Sequence, residues 1–460
     1  MNLQTLKNIY FIGIGGIGMS ALARWFKSNG YQIAGYDLTS SYLTQQLEKE
    51  DIAIHYQDDI KLIPEKFLQE KEHTLIVFTP AVPKNHSELV FFQENGFEVK
   101  KRSQVLGFLT ENLFTVAVAG THGKTTTSSM VAHILTTAQK NVTAFLGGIT
   151  QNYGSNMLMG KGGLEDAIVV AEADEYDRSF LTLYPDIAII TSADADHLDI
   201  YGSHDEVKKS FEDFIKQIKP GGILIIRQNL ALSNQNSTIK LLSYSNGLGG
   251  DVKAENVRTA NGQFVFDILS ENQNISDIIL GVPGFHNVEN ATAAAGVALQ
   301  LGIAPDLIKS ALSSFRGVKR RFDYIVKNEK HIYIDDYAHH PAEIEAFLTS
   351  VKALYPDKKV TAIFQPHLFT RTRDFAHEFA KSLSLADELI LLEIYPAREL
   401  PIEGVTSEII FKDVTTPTKK LIEKKDLLNT LQSSQIEVLA TIGAGDIDRF
   451  IEPISQLLIQ

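Results

Sequence analysis

The 460-residue sequence contains no cysteine, which excludes a disulfide framework, a thiolate nucleophile and a thiolate metal site. The thioester route to an amide goes with them, so any carboxylate this chain activates must be activated by other means. No stretch reaches the roughly 18 consecutive apolar residues of a membrane span. The N-terminal run MNLQTLKNIYFIGIGGIGMS is broken by glycines and lacks an Ala-x-Ala cleavage pattern. Basic excess is missing too. Against 56 Asp and Glu stand 43 Lys and Arg, a formal charge of -13, with the acids scattered and no basic stripe to hold a polyanion. There is no low-complexity linker and no fixed-period repeat. These absences lead us to expect a cytoplasmic enzyme, with neither nucleic acid nor membrane as partner.

What is present is alternation. A chain of this length with 44% hydrophobic residues can bury several cores, and ordinary domain sizes suggest three. NIYFIGI, SALARWFKSNG, QIAGYD and TLIVFT follow one another in a βαβ rhythm, which implies a parallel sheet. The rhythm restarts with FTVAVA at Phe114–Ala119, a glycine turn and a helix from about Lys124. Further buried strands are expected at 167–171, 187–191 and 223–226. A polar, strand-like stretch at 244–280 precedes the alanine-rich helix NATAAAGVALQLG. A third restart follows FRGVKRRFDYI, with strands in HIYIDDY, KVTAIFQ, ELILLEIY and IEVLATIG. The expected fold is α/β, in three αβ domains at 1–113, 114–315 and 316–460.

Two glycine loops carry the chemistry. Gly13, Gly15 and Gly18, with Gly16 and Ile17 between them, form G-x-G-x-x-G after a strand and before a helix, and Asp37 ends the next strand. Such glycines let the backbone approach a pyrophosphate, whose charge the helix N-terminus favours. The motif does not separate NAD from another nucleotide diphosphate such as a UDP-sugar, and a tight turn without a ligand would look the same. The second loop, AGTHGKTT, comprises Gly120, Thr121, His122, Gly123, Lys124, Thr125 and Thr126 after Ala119. Its amides suit ATP phosphates, Lys124 can reach the β and γ phosphates, and the Thr125 hydroxyl can ligate Mg2+. Val118 stands where the general pattern has glycine, so this is a shortened variant. The metal needs an acid at the end of a neighbouring strand, and Glu172 in IVVAEADEYD is the first choice. Asp174, Glu175 and Asp177 lie just beyond; Glu175 is read as part of a solvated acidic turn. His197, in ADADHLDIYG, is a candidate second metal ligand or an ordinary loop histidine.

Taken in order, GTHGKTTT, EADEYD, DADHLD, PGFHNVENATAA, GVKRRFDY, DDYAHHP and QPHLFTRTRD resemble the motif set of the Mur ligases over nearly the whole chain. The resemblance implies a Rossmann-like UDP-binding domain, a central P-loop ATPase domain and a Rossmann-like C-terminal domain that closes over the site. It assigns Lys124 to the ATP phosphates, Thr125 and Glu172 to one Mg2+ and His197 to a second. Asn287 and Asn290 would sit near the adenine, although Asn287 also suits a helix cap. Arg321 and Asp336 would reach back to the nucleotide, structural ion pairing being the plainer reading of each. FIGIGGIGMSALA, YAHHP and IYPARELPIEG resemble the branch that joins L-alanine to UDP-N-acetylmuramate in peptidoglycan synthesis, with ADP and phosphate as products. That branch implies small-molecule partners only, in a monomer or homodimer. His339 and Arg371 are then candidates for the amino-acid substrate, and Asp336 and His339 for the base that deprotonates the amine. His340, before Pro341, is expected to shape its loop. Leu368 stands where many relatives have arginine, and Glu212 falls at the spacing where some carry a metal-bridging lysine, so neither Lys208 nor Lys209 is assigned that role. The rival readings are a tripeptide-recycling ligase, an NAD-dependent oxidoreductase and a regulatory NTPase.

Overall fold

The computed structural model describes residues 5–162, 166–176, 178–194, 198–234, 236–247, 249–271, 273–397 and 399–459. Two compact units divide the chain: Met1–Lys253 with Ser270–Gln273 and Asn290–Ala311, and Ala254–Leu269 with Asn274–Glu289 and Leu312–Gln460.

In the first unit an all-parallel sheet runs in the order Ala53–His55, Gln32–Tyr36, Asn8–Ile12, Thr74–Phe78, Glu98–Lys101. The central strand NIYFI is buried at every position, as a strand covered on both faces should be. Strand order reverses beside it, so the loops after Ile12 and Phe78 flank the crevice where ligands of such sheets bind. The helix Ile17–Ser28 follows directly. Met19, Leu22, Trp25 and Phe26 recur on its buried face at helical spacing.

A second sheet in this unit runs Lys240–Asn246, Ile223–Arg227, Ile187–Ile190, Phe114–Ala119, Ile168–Ala173, Val142–Thr150, Ser155–Leu158, parallel except at the last strand. Ala119 lies opposite both Ile190 and Ala173, so the loop after the central strand emerges between two others at one edge. In the core that includes Ala119 and Ala173, Phe180 stacks on Phe214 at 5.1 Å and meets Phe211 edge-on. Truncating a fully buried phenylalanine such as Phe180 costs about 3–5 kcal/mol.

The second unit contains the antiparallel pair Gln263–Ser270 and Asn274–Ile279 and a six-stranded sheet. Its order is Asp323–Lys327, Ile332–Asp336, Val438–Ile442, Val360–Phe364, Glu388–Leu391, Thr418–Leu421. The first pair is antiparallel and the rest parallel. Tyr333, Ile363, Ile390 and Leu439 form its core with Leu431 and Ile454. The chain is thus α/β with three sheet-containing domains. Among the described residues no helix is long and apolar enough to cross a membrane.

Candidate active site

The phosphate loop occupies the sheet edge after Ala119. Gly120 and Gly123 hold φ of +135° and +82°, and a side chain on Gly123 would meet Asn290 Oδ1 at 2.7 Å. Glycine is therefore required by both conformation and space. The Ser192 hydroxyl pins the loop, accepting from His122 N at 2.8 Å and bonding the Thr121 hydroxyl at 2.8 Å. Lys124 opens the helix Lys124–Thr137 and folds back, donating from Nζ to Gly120 O at 2.6 Å. The same ammonium lies 2.8 Å from Glu175 Oε2 and 3.0 Å from Oε1. Burial alone would lower the Lys124 pKa, but the surrounding Glu175, Asp174 and Glu172 override it and hold the lysine firmly protonated. The Thr125 hydroxyl donates to Glu172 Oε1 at 3.0 Å, and Gly147 N to Glu172 Oε2 at 2.9 Å.

Glu175 departs from expectation. Instead of a solvated turn it is 1% exposed and forms the principal ion pair of the loop. Such a carboxylate enters a protein interior only with its partner, and Lys124 is that partner. His197 lies outside the described residues, and among those described no cluster of three or more metal-ligating side chains is assembled.

The N-terminal glycine loop is held differently. Gly13 and Ile14 donate to Tyr36 O, and Gly15 N donates to Asp37 Oδ2 at 2.7 Å while Thr39 N takes Asp37 Oδ1. A side chain on Gly15 would meet Thr44 Cγ2 at 2.6 Å, and one on Gly18 would meet Arg102 Nη1 at 2.6 Å. The Arg102 guanidinium therefore lies over the first turn of the helix Ile17–Ser28, whose N-terminus already favours an anion. Gly16 and Ile17 bridge the loop to this helix, Gly16 standing as its N-cap.

In the second unit Asp336 ends its strand with both oxygens engaged, Oδ2 accepting from Phe322 N at 2.7 Å and Oδ1 from Ala338 N at 2.8 Å. Burial pushes its carboxyl up to about 7, against the pull of Arg321 and the two amides. Arg321 stacks on Tyr337 at 5.0 Å and approaches Glu343 at 3.9 Å. His339 N donates to Glu343 Oε2 at 2.9 Å, and the His339 ring faces His367 at 6.2 Å, which stacks on Tyr395 at 5.8 Å. His340 caps the helix Pro341–Leu354, the loop-shaping role expected of it. Arg371 is buried on the short helix Phe369–Asp374. Leu368 holds φ +71°, an uncommon conformation for a branched side chain. The Asn287 amide donates to Pro283 O at 2.7 Å, a local backbone bond. Its neighbour His286 has a buried Nδ1 without a hydrogen-bond partner among the described residues, and burial pushes its pKa down to about 4.

Sequence signatures described as the Mur ligase family catalytic domain, the Mur ligase middle domain and the Mur ligase glutamate ligase domain match residues 8–113, 118–298 and 320–445. A UDP-N-acetylmuramate–L-alanine ligase of Cytophaga hutchinsonii is 52% identical over 460 residues, spanning 100% of this chain and 98% of its own. The chain belongs to the Mur ligase family. A second UDP-N-acetylmuramate–L-alanine ligase, from Phocaeicola vulgatus, is 50% identical over 461 residues, covering 100% of this chain and 99% of its own. The crystal structure of a UDP-N-acetylmuramate-alanine ligase from Thermotoga maritima superposes with a TM-score of 0.81 at 30% identity, covering 98% of this chain and 99% of that one.

In the sequence of this Mur ligase Glu175 reads as part of a solvated turn, and Arg102, His286 and His367 do not stand out. Glu175, His286 and His367 lie inside the motifs EADEYD, PGFHNVENATAA and QPHLFTRTRD, which also hold Glu172, Asn287 and Arg371. Arg102 follows the short strand EVKK and has no motif of its own; only the glycine opposite it gives it away.

Proposed function

We propose that this Mur ligase joins the amine of L-alanine to the carboxylate of UDP-N-acetylmuramate at the expense of ATP, in peptidoglycan synthesis. The observation that carries the reading is the grouping of Lys124, Thr125 and Glu172 at the end of the central strand, in a chain 52% identical to a ligase of that name. A carboxylate is unreactive toward an amine because its carbon is shielded by charge and oxide is a poor leaving group. Transfer of the γ-phosphoryl group to it makes an acyl phosphate, which the neutral amine attacks with loss of phosphate.

Both reactants are anions, so the residues of the loop act chiefly by position and charge. The loop amides and Lys124 hold the β and γ phosphates, and Asn290, against Gly123, borders the nucleoside side. The donor set fits Mg2+, since the Thr125 hydroxyl and the Glu172 carboxylate present hard oxygens side by side. These two would hold the ion, with His197 assigned to a second one, and bound there the metal would offset phosphate charge. Gly13, Gly15 and Gly18 would take the UDP pyrophosphate, with Arg102 adding positive charge over Gly18. Arg321 would steady the transferred group, while His339 and Arg371 would meet the amino acid. Asp336 and His339 remain the candidates for the base. The domain limits 1–113, 114–315 and 316–460 are proposed as the functional division of uridine binding, ATP binding and closure. The enzyme acts in the cytoplasm as a monomer or homodimer.

The test is the fate of oxygen. With 18O in the muramoyl carboxylate, one label is expected in phosphate, released in equal amount with ADP and dependent on both UDP-N-acetylmuramate and L-alanine. Stoichiometric AMP, or phosphate without label, would refute the acyl-phosphate route.

A further inference from the structure

The Lys124–Glu175 pair is built into its surroundings. Asp174 caps its own turn, accepting from Tyr176 N through Oδ1 at 3.1 Å, while its carbonyl accepts from Phe180 N at 3.0 Å. The Glu175 carbonyl accepts from Arg178 N at 2.9 Å and from the buried Tyr201 hydroxyl at 2.5 Å. Arg178 holds φ +59° to close the turn, and its guanidinium covers the Tyr201 ring at 5.2 Å. Phe180 then anchors the segment in the aromatic stack below. The carboxylate is thus delivered to Lys124 by a rigid backbone and not by a long, free side chain.

Lys124 cannot serve Glu175 and the ATP phosphates at full strength together, since its ammonium already donates to Gly120 O and Glu175 Oε1 and is ion-paired with Glu175 Oε2 at 2.8 Å. We infer that Glu175 is a positioning residue that occupies Lys124 in the nucleotide-free protein, so that nucleotide binding is an exchange. Lys124 passes to phosphate, and the divalent cation that accompanies the nucleotide supplies the positive charge Glu175 gives up. Metal-free nucleotide must compete with Glu175 for the lysine and leave a buried carboxylate behind; metal-bound nucleotide does not. The inference rests on the ATP reading of the loop.

The experiment is calorimetric binding of ADP, once with EDTA and once with Mg2+, to wild type, Glu175→Gln and Glu175→Asp. Glu175→Gln is expected to tighten metal-free ADP about tenfold and to weaken or leave unchanged ADP with Mg2+, shrinking the metal dependence by at least tenfold. Glu175→Asp is expected to keep most of the wild-type dependence. A merely structural glutamate would move both affinities the same way, and that result, or an unchanged ratio, overturns the inference. Should Glu175→Gln fail to fold, Lys124→Met tests the pair from the other side. Binding of Mn2+ alone, followed by the electron paramagnetic resonance of the free ion, should strengthen about tenfold once the competing ammonium is gone. No gain there also overturns it. A wild type that binds no ADP even with Mg2+ removes the nucleotide reading itself, and this inference with it.

Discussion

The two glycine loops of the first unit look alike in sequence and are wired oppositely. Each follows a buried parallel strand and opens a helix, and each has an acid within hydrogen-bonding distance. In the first loop the acid, Asp37, grips the backbone itself, accepting from Gly15 N and Thr39 N, while a cation, Arg102, lies over Gly18. In the second the acids grip side chains, Glu175 taking Lys124 and Glu172 taking Thr125. The first is a cradle of fixed shape with its charge already set. Under the exchange proposed above, the second would hold its charge in reserve, in contacts that an incoming polyanion and its metal could replace. This difference also bears on the oxidoreductase reading. The acid of a dinucleotide fold binds a ribose hydroxyl, whereas both oxygens of Asp37 are spent on the loop.

The sharpest way to break the comparison is to remove the reserve charge. Lys124→Ala is expected to lower turnover by about a thousandfold, while calorimetry shows UDP-N-acetylmuramate bound within about threefold of wild type. Loss of both together would mean that the two loops do not serve separate ligands. A pair of glycine substitutions gives the next largest effect. Gly123→Ala forces a side chain into the left-handed region against Asn290, and Gly15→Ala drives one into Thr44 and Asp37. Overlaps of this kind cost ~1–3 kcal/mol, so each should weaken its own ligand about ten- to a hundredfold, ADP with Mg2+ for the first and UDP-N-acetylmuramate for the second. Crossed effects would dissolve the distinction.

Much of this arrangement was legible in the sequence. Strands such as NIYFI and FTVAVA announce themselves because a strand covered on both faces must be apolar throughout. The edge strands Glu98–Lys101 and Thr418–Leu421 were not legible, because EVKK and TKKL are half exposed and carry no such signature. Gly120, Gly123 and Lys124 stand out in the sequence because phosphate-loop chemistry demands those residue types at that spacing, and the structure gives the loop the positive-φ glycines and folded-back lysine that the spacing implies. Glu175 reads as solvated for the converse reason. Nothing in DEYD says which carboxylate turns inward; that is decided by Tyr201 and Phe180, which are distant or unremarkable in sequence. Arg102 is likewise visible only once two strands and a helix have been brought together.

Smaller effects sharpen a parallel contrast with the second unit, where the buried acid Asp336 is held by amides and not by an ammonium. Its carboxyl is held up to about 7, well above the value near 4 of an unfolded chain. The folded state therefore binds the extra proton between those values. The stability this confers is fully present below about pH 4 and is lost as pH rises through about 7. Denaturant midpoints should show this slope in wild type, and Asp336→Asn should abolish it; an unchanged slope would assign the pH dependence elsewhere. Smallest is the link between the helix that begins at the first loop and the hairpin strand Ser155–Leu158, where Arg24 bonds both Glu50 and Asn156. Arg24→Met should cost about 1 kcal/mol, seen as a Tm lower by about 2–4 °C, with ADP affinity unchanged.

The brevity of the second loop has a thermodynamic consequence. Its strand runs through Val118 to Ala119, and only four residues separate that strand from the helix, held at Gly120 by Lys124 and at Thr121 and His122 by Ser192. A segment so constrained has already given up its freedom when the protein folded. Nucleotide capture at this loop should therefore proceed without local ordering, with a small heat-capacity change and little of the unfavourable entropy that accompanies coupled folding.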